Sequence, residues 1–208
     1  MKEKTHIQGP LANDQKNQLY PIFLKLDQVE TLLVGAGNVG LEKLQSLLSN
    51  SREAKVTIVA SRVNEEVEQL AGNHPFCNII NREFKETDLD NKDLVILATG
   101  DRQSNERIRQ LAKEKRIIVN VADTPDLCDF YLGSIVRKGN LKIAISTNGK
   151  SPTMAKRLKE ILEDMIPDEM EGVLDNLQAI RSAMKGSFKE KVKRLNEITK
   201  ELVKGRYE

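Results

Sequence analysis

A chain of 208 residues with 39% hydrophobic and 31% charged side chains makes one large domain or one domain with an appendage, and this composition gives no reason for disorder. Its longest apolar runs, LVILA and IIVNVA, fall far short of the roughly 20 residues that span a bilayer, so no membrane partner is expected. A net charge of +2 with three Tyr, five Phe and no Trp gives neither a bulk electrostatic nor a stacking argument for nucleic acid, although a sequence pI near 8.4 leaves room for a local basic patch.

In chain order, the N-terminal stretch MKEKTHIQGPLANDQKNQ lacks the apolar core of a secretory signal, so the protein is expected in the cytoplasm with residues 1–18 as a loose tail. Tyr20 to Leu26 reads as a short extended segment in which Pro21 favours an edge or a crossover. TLLVGAGNVG, Thr31 to Gly40, then runs apolar residues straight into Gly35, Gly37 and Gly40 at G-x-G-x-x-G spacing. The spacing predicts a strand, a tight turn and a helix start. Gly35 allows the turn, Gly37 lets the backbone approach a pyrophosphate, and Gly40 lets the helix pack on the strand. LEKLQSLLSN places Leu41, Leu44, Leu47 and Leu48 on one helical face, and Val56 to Ala60 follows as a second strand, completing a βαβ unit. A glycine turn in an α/β core without a nucleotide is the plain alternative.

RVNEEVEQLAGN carries Val63, Val67 and Leu70 at helical spacing, CNIINREF reads as a strand, and Leu94 to Gly100 is a nearly continuous apolar run of the kind found in a central parallel strand. A further helix with Ile108, Leu111 and Ala112 on one face leads to the strand Ile117 to Asp123. This alternation predicts a Rossmann-type doubly wound parallel sheet with its ligand beyond the carboxyl ends of the strands, at Gly35 to Gly40, Ser61 and Arg62, Thr99 to Asp101, and Asp123 and Thr124.

From Thr124 the pattern changes. SIVRKGNLKIAIST has two β-rich runs joined through Arg137-Lys138-Gly139-Asn140, an antiparallel hairpin. NGKSPTMAKRLKEILEDMI opens a helix with Ser151 as N-cap and Pro152 at the first position, and Pro167 ends it. Two amphipathic helices broken near Gly186 follow, and their apolar stripes suit a dimer contact. The two cysteines, Cys77 and Cys128, are far apart and are expected to be inert thiols. With only His6 and His74 beside them, no fixed catalytic metal is expected.

Over roughly Tyr20 to Leu202 the chain resembles the precorrin-2 dehydrogenases, the siroheme synthase N-terminal-like proteins, some of which also act as sirohydrochlorin ferrochelatases. The resemblance rests on YPIFLKL, VGAGNVGLEK, LVILATGDRQSNERI, VNVADTPDLCDFYLGSIVRKGNLKIAIST and NGKSPTMAKRLKEILE, the last two blocks being the most specific. It implies a homodimer that uses NAD to oxidise precorrin-2 to sirohydrochlorin on the way to siroheme or cobalamin. It also implies a division into the tail at 1–18, an NAD-binding Rossmann domain at 19–125, a dimerisation hairpin region at 126–150 and a helical C-terminal domain at 151–208.

The family's important aspartate matches Asp123 in NVADTP, where a carboxylate at a strand's carboxyl end can accept a proton while hydride leaves the macrocycle. An aspartate that merely caps the Thr-Pro turn is the competing reading. Gly35, Gly37, Asn38, Val39, Gly40, Ser61, Arg62, Thr99, Gly100 and Asp101 are the expected cofactor residues. The second strand ends in Ala60-Ser61-Arg62 where an acidic residue usually takes the ribose hydroxyls; the arginine by itself leans to NADP, the resemblance to NAD, and NAD is the expectation. Thr147 aligns with a family serine before a GGxSP stretch in which Asn148 replaces the first glycine and Gly149 keeps the second. The loop of Ser146, Thr147, Asn148, Gly149, Lys150 and Ser151 leads to a helix N-terminus suited to a carboxylate, or simply caps that helix. Precorrin-2 carries several acetate and propionate groups, so Arg137, Lys138, Lys150, Lys156 and Arg157 are candidate contacts. A second reading adds ferrochelatase activity, with Fe²⁺ as substrate and Asp123 taking pyrrole protons. A third makes the chain a non-enzymatic nucleotide-sensing module, which gives no reason for the NVAD, IAIST and KSP blocks together.

Overall fold

The computed structural model of the chain describes residues 17–200; residues 1–16 of the expected tail, with His6, and the last eight residues of the expected C-terminal domain lie outside them. The chain divides into two compact units, one running to Leu132 and the other starting at Gly133.

The first unit is a five-stranded parallel sheet with strands β1 (Glu30–Ala36), β2 (Lys55–Val63), β3 (Cys77–Asn81), β4 (Leu94–Leu97) and β5 (Ile118–Val121) in the order β3-β2-β1-β4-β5. Helices α1 (Asn38–Asn50), α2 (Glu65–Gly72) and α3 (Arg102–Glu114) make the crossovers. Period-two alternation divides the sheet's side chains between two cores. Leu33, Ile58 and Ile96 pack with Leu44, Leu47, Leu48, Val67 and Ala71 of α1 and α2. Leu32, Val34, Val59, Val95 and Leu97 pack with Ile108 and Ala112 of α3. Burying a Leu or Ile side chain in this way contributes about 1.5–3 kcal/mol. Both faces being covered explains why LVIL at β4 reads as a continuous apolar run. Val63, expected on the second helix, instead ends β2 opposite Ala36, because the ladder between β1 and β2 shifts register after Val34 and lengthens β2.

Tyr20 to Leu26 joins neither sheet as a strand. Pro21 has no N–H to offer a ladder, and the segment meets the sheet where the Lys55 N–H donates to the Leu26 carbonyl (3.3 Å). The outer edge of β5 is covered by the chain's own return: the Asp129 N–H donates to the Val119 carbonyl (2.8 Å), the Val119 N–H to Asp129 Oδ2 (3.0 Å), and Asn120 Nδ2 to the Phe130 carbonyl (2.9 Å).

In the second unit β6 (Ser134–Lys138) and β7 (Leu141–Ile145) form the predicted antiparallel hairpin, closed by Gly139 at φ +57° and Asn140. Helix α4 (Pro152–Met165) packs against β6, and α5 (Met170–Ala183) and α6 (Phe188–Thr199) follow, broken around Gly186 as expected. Ser151 caps α4, its hydroxyl accepting the Met154 N–H (3.1 Å). Glu171 holds the hairpin turn by accepting from both the backbone and the side chain of Asn140, and Lys138 pairs with Asp168.

Between β3 and β4 the buried Asp88 carboxylate accepts two guanidinium bonds from Arg82 (2.8 and 2.6 Å) and the Lys85 N–H (2.8 Å). The Arg82 bonds foremost hold its carboxyl below the usual range. A depressed folded-state value contributes stability that is full above the unfolded value of about 3.9 and is lost as pH falls through the folded one. Urea denaturation at pH 7 and across pH 4 to 2 is therefore expected to show Asp88→Asn less stable at neutral pH, with a shallower acid decline than the wild type. Equal acid slopes in the two proteins would remove the pair from this role.

Candidate functional site at the carboxyl ends of the parallel strands

The ladders of the first unit place Ile80, Val59, Val34, Leu97 and Val121 in one row across all five strands. The predicted residues therefore follow this row at one level: Gly35 and Ala60–Ser61 where β1 and β2 shift register, Ala98 and Thr99 just past β4, and Ala122 and Asp123 just past β5. The strand order reverses at β1, whose flanking crossovers go to opposite sides, so this row borders the crevice where doubly wound sheets bind ligands.

The three glycines meet different constraints. Gly35 has φ +102°, and a Cβ there would sit 2.3 Å from the Ala98 carbonyl oxygen; a Cβ at Gly40 would sit 2.2 Å from the Gly35 carbonyl oxygen. Those two are closed by backbone. Gly37, the N-cap of α1, has no atom within 4 Å of the same construction. Helix α1 also starts with no side-chain cap and no acidic residue in its first turn. Helix α1 thus begins beside an open Gly37 without a side-chain cap or an acidic first turn, features that suit a helix N-terminus to an anion.

Around this loop the polar side chains mostly hold backbone. Asn64 caps α2 by accepting the Glu66 N–H (2.9 Å), donates from Nδ2 to Asn38 Oδ1 (3.3 Å), and its own N–H donates to the Ala36 carbonyl (3.0 Å). Ser61 and Arg62 are exposed near the end of β2. After β4, the Thr99 hydroxyl donates to the buried Asn105 Oδ1 (2.7 Å) and accepts from the Asp101 N–H (3.2 Å), while Gly100 takes φ +73°. The Asp101 carboxylate accepts the Ser104 N–H (3.0 Å) as the cap of α3, and the Ser104 side chain and then its backbone hold that carboxyl below the usual range.

Asp123 stands exposed in a turn whose Thr124 N–H donates to the Val121 carbonyl (3.3 Å), with φ +57°. That conformation costs a non-glycine residue roughly 1–2 kcal/mol, less for Asp, whose short polar side chain tolerates it. The turn is tied to α3 through Arg102, which pairs with Asp126 (2.7 Å), and Arg109, whose Nε donates to the Leu127 carbonyl (2.7 Å).

The expected substrate residues belong to the second unit. The Thr147 hydroxyl accepts the Ser151 N–H (3.2 Å) and donates to the Ser151 carbonyl (3.1 Å), closing a loop in which Asn148 and Gly149 have φ +55° and +75°. A cavity of about 350 Å³ at the start of α4 is lined by Pro152, Thr153, Lys156 and Arg157. Arg157 pairs with Glu160 (2.7 Å), and Arg137 and Lys150 are exposed.

Asn64, Asn105 and Arg109 escaped the sequence reading. Asn64 had a usable signal, an Asn directly before an acidic helix start. Cys128 was expected to be inert; burial does push its thiol up, as it does that of Cys77, yet its sulfur is bonded to the backbone beside Asp123. Among the described residues no group of three or more His, Cys, Asp or Glu side chains could hold a metal ion, and no helix is long and apolar enough to cross a membrane.

An NAD(P)-binding family model matches residues 22–134, and a model described as sirohaem biosynthesis protein central matches residues 138–165. The siroheme synthase of Pseudoalteromonas translucida is 37% identical over 172 residues, which cover 83% of this chain and 36% of the relative. That of Methylococcus capsulatus is 37% identical over 159 residues, covering 76% and 33%. The chain thus spans only about a third of the length of these curated relatives. The solved structure of SirC, a precorrin-2 dehydrogenase, superposes with a TM-score of 0.68 at 25% identity, covering 86% of this chain and 89% of that one.

The division among the glycines is testable by substitution. Gly37→Ala is expected to fold with a melting temperature within about 2 °C of wild type and to bind NAD⁺ at least about tenfold more weakly, since it fills the face offered to the anion. Gly35→Ala and Gly40→Ala are expected to lose about 1–3 kcal/mol of stability or more, because backbone must move. Thermal melts and cofactor titration check both; an unstable Gly37→Ala or a stable Gly40→Ala would contradict the assignment.

Proposed function

Since this chain belongs to the NAD(P)-binding family of the sirohaem biosynthesis proteins, we propose that it oxidises precorrin-2 to sirohydrochlorin with NAD⁺. The observation that carries this reading is an exposed carboxylate, Asp123, held left-handed at the end of β5, on the same level of the sheet as a glycine loop that leaves Gly37 open.

The dinucleotide would be held by the amides of Asn38, Val39 and Gly40, by Ser61 and Arg62 at its ribose end, and by the Thr99–Asp101 loop. When bound, it supplies the hydride acceptor. Asp123 is exposed and accepts the proton that leaves the macrocycle as the carbon–hydrogen pair is oxidised, a contribution of roughly 10²–10⁴-fold for a positioned base. NAD⁺ is the proposed cofactor on the strength of the family likeness. Arg62 is the side chain a 2′-phosphate would meet, so affinities favouring NADP⁺ would reverse that choice.

The substrate's carboxylates are assigned to the second unit, where Lys150, Lys156 and Arg157 stand near the start of α4 with Thr147, Asn148, Gly149 and Ser151, and Arg137 and Lys138 lie on β6. The protein acts in the cytoplasm as a homodimer. Support for the dimer comes from α4, where Met154, Leu158, Ile161 and Met165 follow one another at helical spacing and are all exposed. Iron insertion into sirohydrochlorin is a second activity open to the same carboxylate, with the macrocycle supplying the ligands to Fe²⁺.

Anaerobic incubation of precorrin-2 with NAD⁺, followed by addition of Fe²⁺, tests these assignments together. Wild type is expected to produce NADH and sirohydrochlorin. Asp123→Asn, which keeps the left-handed turn, is expected to lose roughly 10²–10⁴-fold in turnover with NAD⁺ affinity unchanged. Normal turnover by that variant removes Asp123 from the chemistry. Iron uptake no faster than without protein makes the chain a dehydrogenase alone.

A further inference from the structure

Resting on the reading of Asp123 as the base, we propose that the Cys128 thiol is its positioning residue, fixing the turn from Val121 to Thr124 by standing in for a neighbouring strand. The Val121 N–H donates to Cys128 Sγ (3.2 Å), and the thiol's single proton lies within reach of the carbonyls of Val121 (3.1 Å) and Thr124 (3.4 Å). Asn120 Nδ2 also faces the sulfur (3.6 Å). Val121 is the last residue of β5, an edge strand, so both of its outward backbone groups would otherwise lack a ladder partner. One sulfur, a weak donor and a weak acceptor, meets the N–H and lies within donating reach of the carbonyl, which also accepts the Thr124 N–H.

This placement matters because Val121 leads directly into the turn that carries the base. The Val121 carbonyl accepts from the Thr124 N–H as well as from the thiol, and those two bonds bracket Ala122 and Asp123. A left-handed non-glycine residue persists only where its surroundings over-determine it. Here the surroundings are supplied within the same short loop. The backbone on either side of Cys128 is fixed in turn, Leu127 by Arg109 and Asp129 by Val119. Burial raises the thiol's pKa, so it keeps its proton at neutral pH and remains a donor.

A thiol that acts by hydrogen bonding and one that merely fills space predict opposite orders for two substitutions. Cys128→Ser retains a donor and an acceptor at slightly shorter reach, whereas Cys128→Val retains bulk and neither. Steady-state oxidation of precorrin-2 with NAD⁺ is expected to show Ser within about threefold of the wild-type kcat and Val at least tenfold lower, with the dissociation constant for NAD⁺ unchanged within twofold in both. Hydrogen exchange in the peptide covering residues 119–125 is expected to quicken at least tenfold in Cys128→Val, and exchange in β1 to stay unchanged. Val turning over as fast as Ser or faster, or exchange in 119–125 unaltered by Val, overturns the proposal. Should the wild type oxidise no precorrin-2 with either nicotinamide cofactor, the functional reading fails, and the exchange comparison still decides whether the thiol holds the turn.

Discussion

Backbone touching backbone at two glycines is the constraint on which the first unit depends. Gly35 passes the Ala98 carbonyl, and Gly40 passes the carbonyl of Gly35, each with no room for a single carbon. The first contact goes with a sharp left-handed step of β1 beside β4, where its register with β2 shifts. The second brings α1 down onto β1, so that Leu44, Leu47 and Leu48 reach the core shared with Leu33 and Ile96. Were α1 lifted by the breadth of a methyl group, its N-terminus would no longer lie at the level where β4 and β5 end. One short stretch of chain thereby sets packing and the open anion face together.

The same level of the sheet holds the least relaxed acidic residue of the described chain. Asp123 has φ +57° and is exposed, so neither burial nor intrinsic preference keeps it there. It is kept there by a set of bonds from α3, β5 and the returning segment, made by Arg102, Arg109, Asp129 and Cys128. Strain confined to one residue and balanced by several ordinary bonds around it is the pattern expected of a preorganised reacting group. The polar residues of the 123–130 segment cover the sheet edge with hydrogen bonds, while Leu127, Cys128 and Phe130 pack against the two apolar cores.

The doubly wound sheet, the hairpin and the helix start at Ser151 were legible because each obeys a local rule: alternation or continuous apolarity for strands, helical spacing for faces, and a glycine or proline at a boundary. Val63 was misplaced because a register shift depends on the partner strand, which sequence spacing does not report. Pro21 marks the extended Tyr20–Leu26 segment as irregular, yet nothing local says whether a nearby edge will take it. Within the site, the motif assigned the glycines turn, approach and packing roles; backbone closes Gly35 and Gly40, and no atom lies within 4 Å of a Cβ at Gly37.

The residues hidden from sequence reasoning are those whose partners are backbone atoms or side chains that no local rule connects to them. Asn105 bonds Thr99, Arg109 bonds Leu127, and Cys128 bonds Val121; none of these pairings alters a periodicity or a composition. Their number near one end of the sheet has a physical reason. The loops there lie past the last ladder bonds of β4 and β5, and each backbone group they leave unpaired costs free energy unless a polar side chain reaches it. These loops are therefore held largely by side chains that bind the protein's own backbone. Asp101 illustrates the consequence: its carboxylate caps α3 and so fixes the Thr99–Gly100 loop beside it.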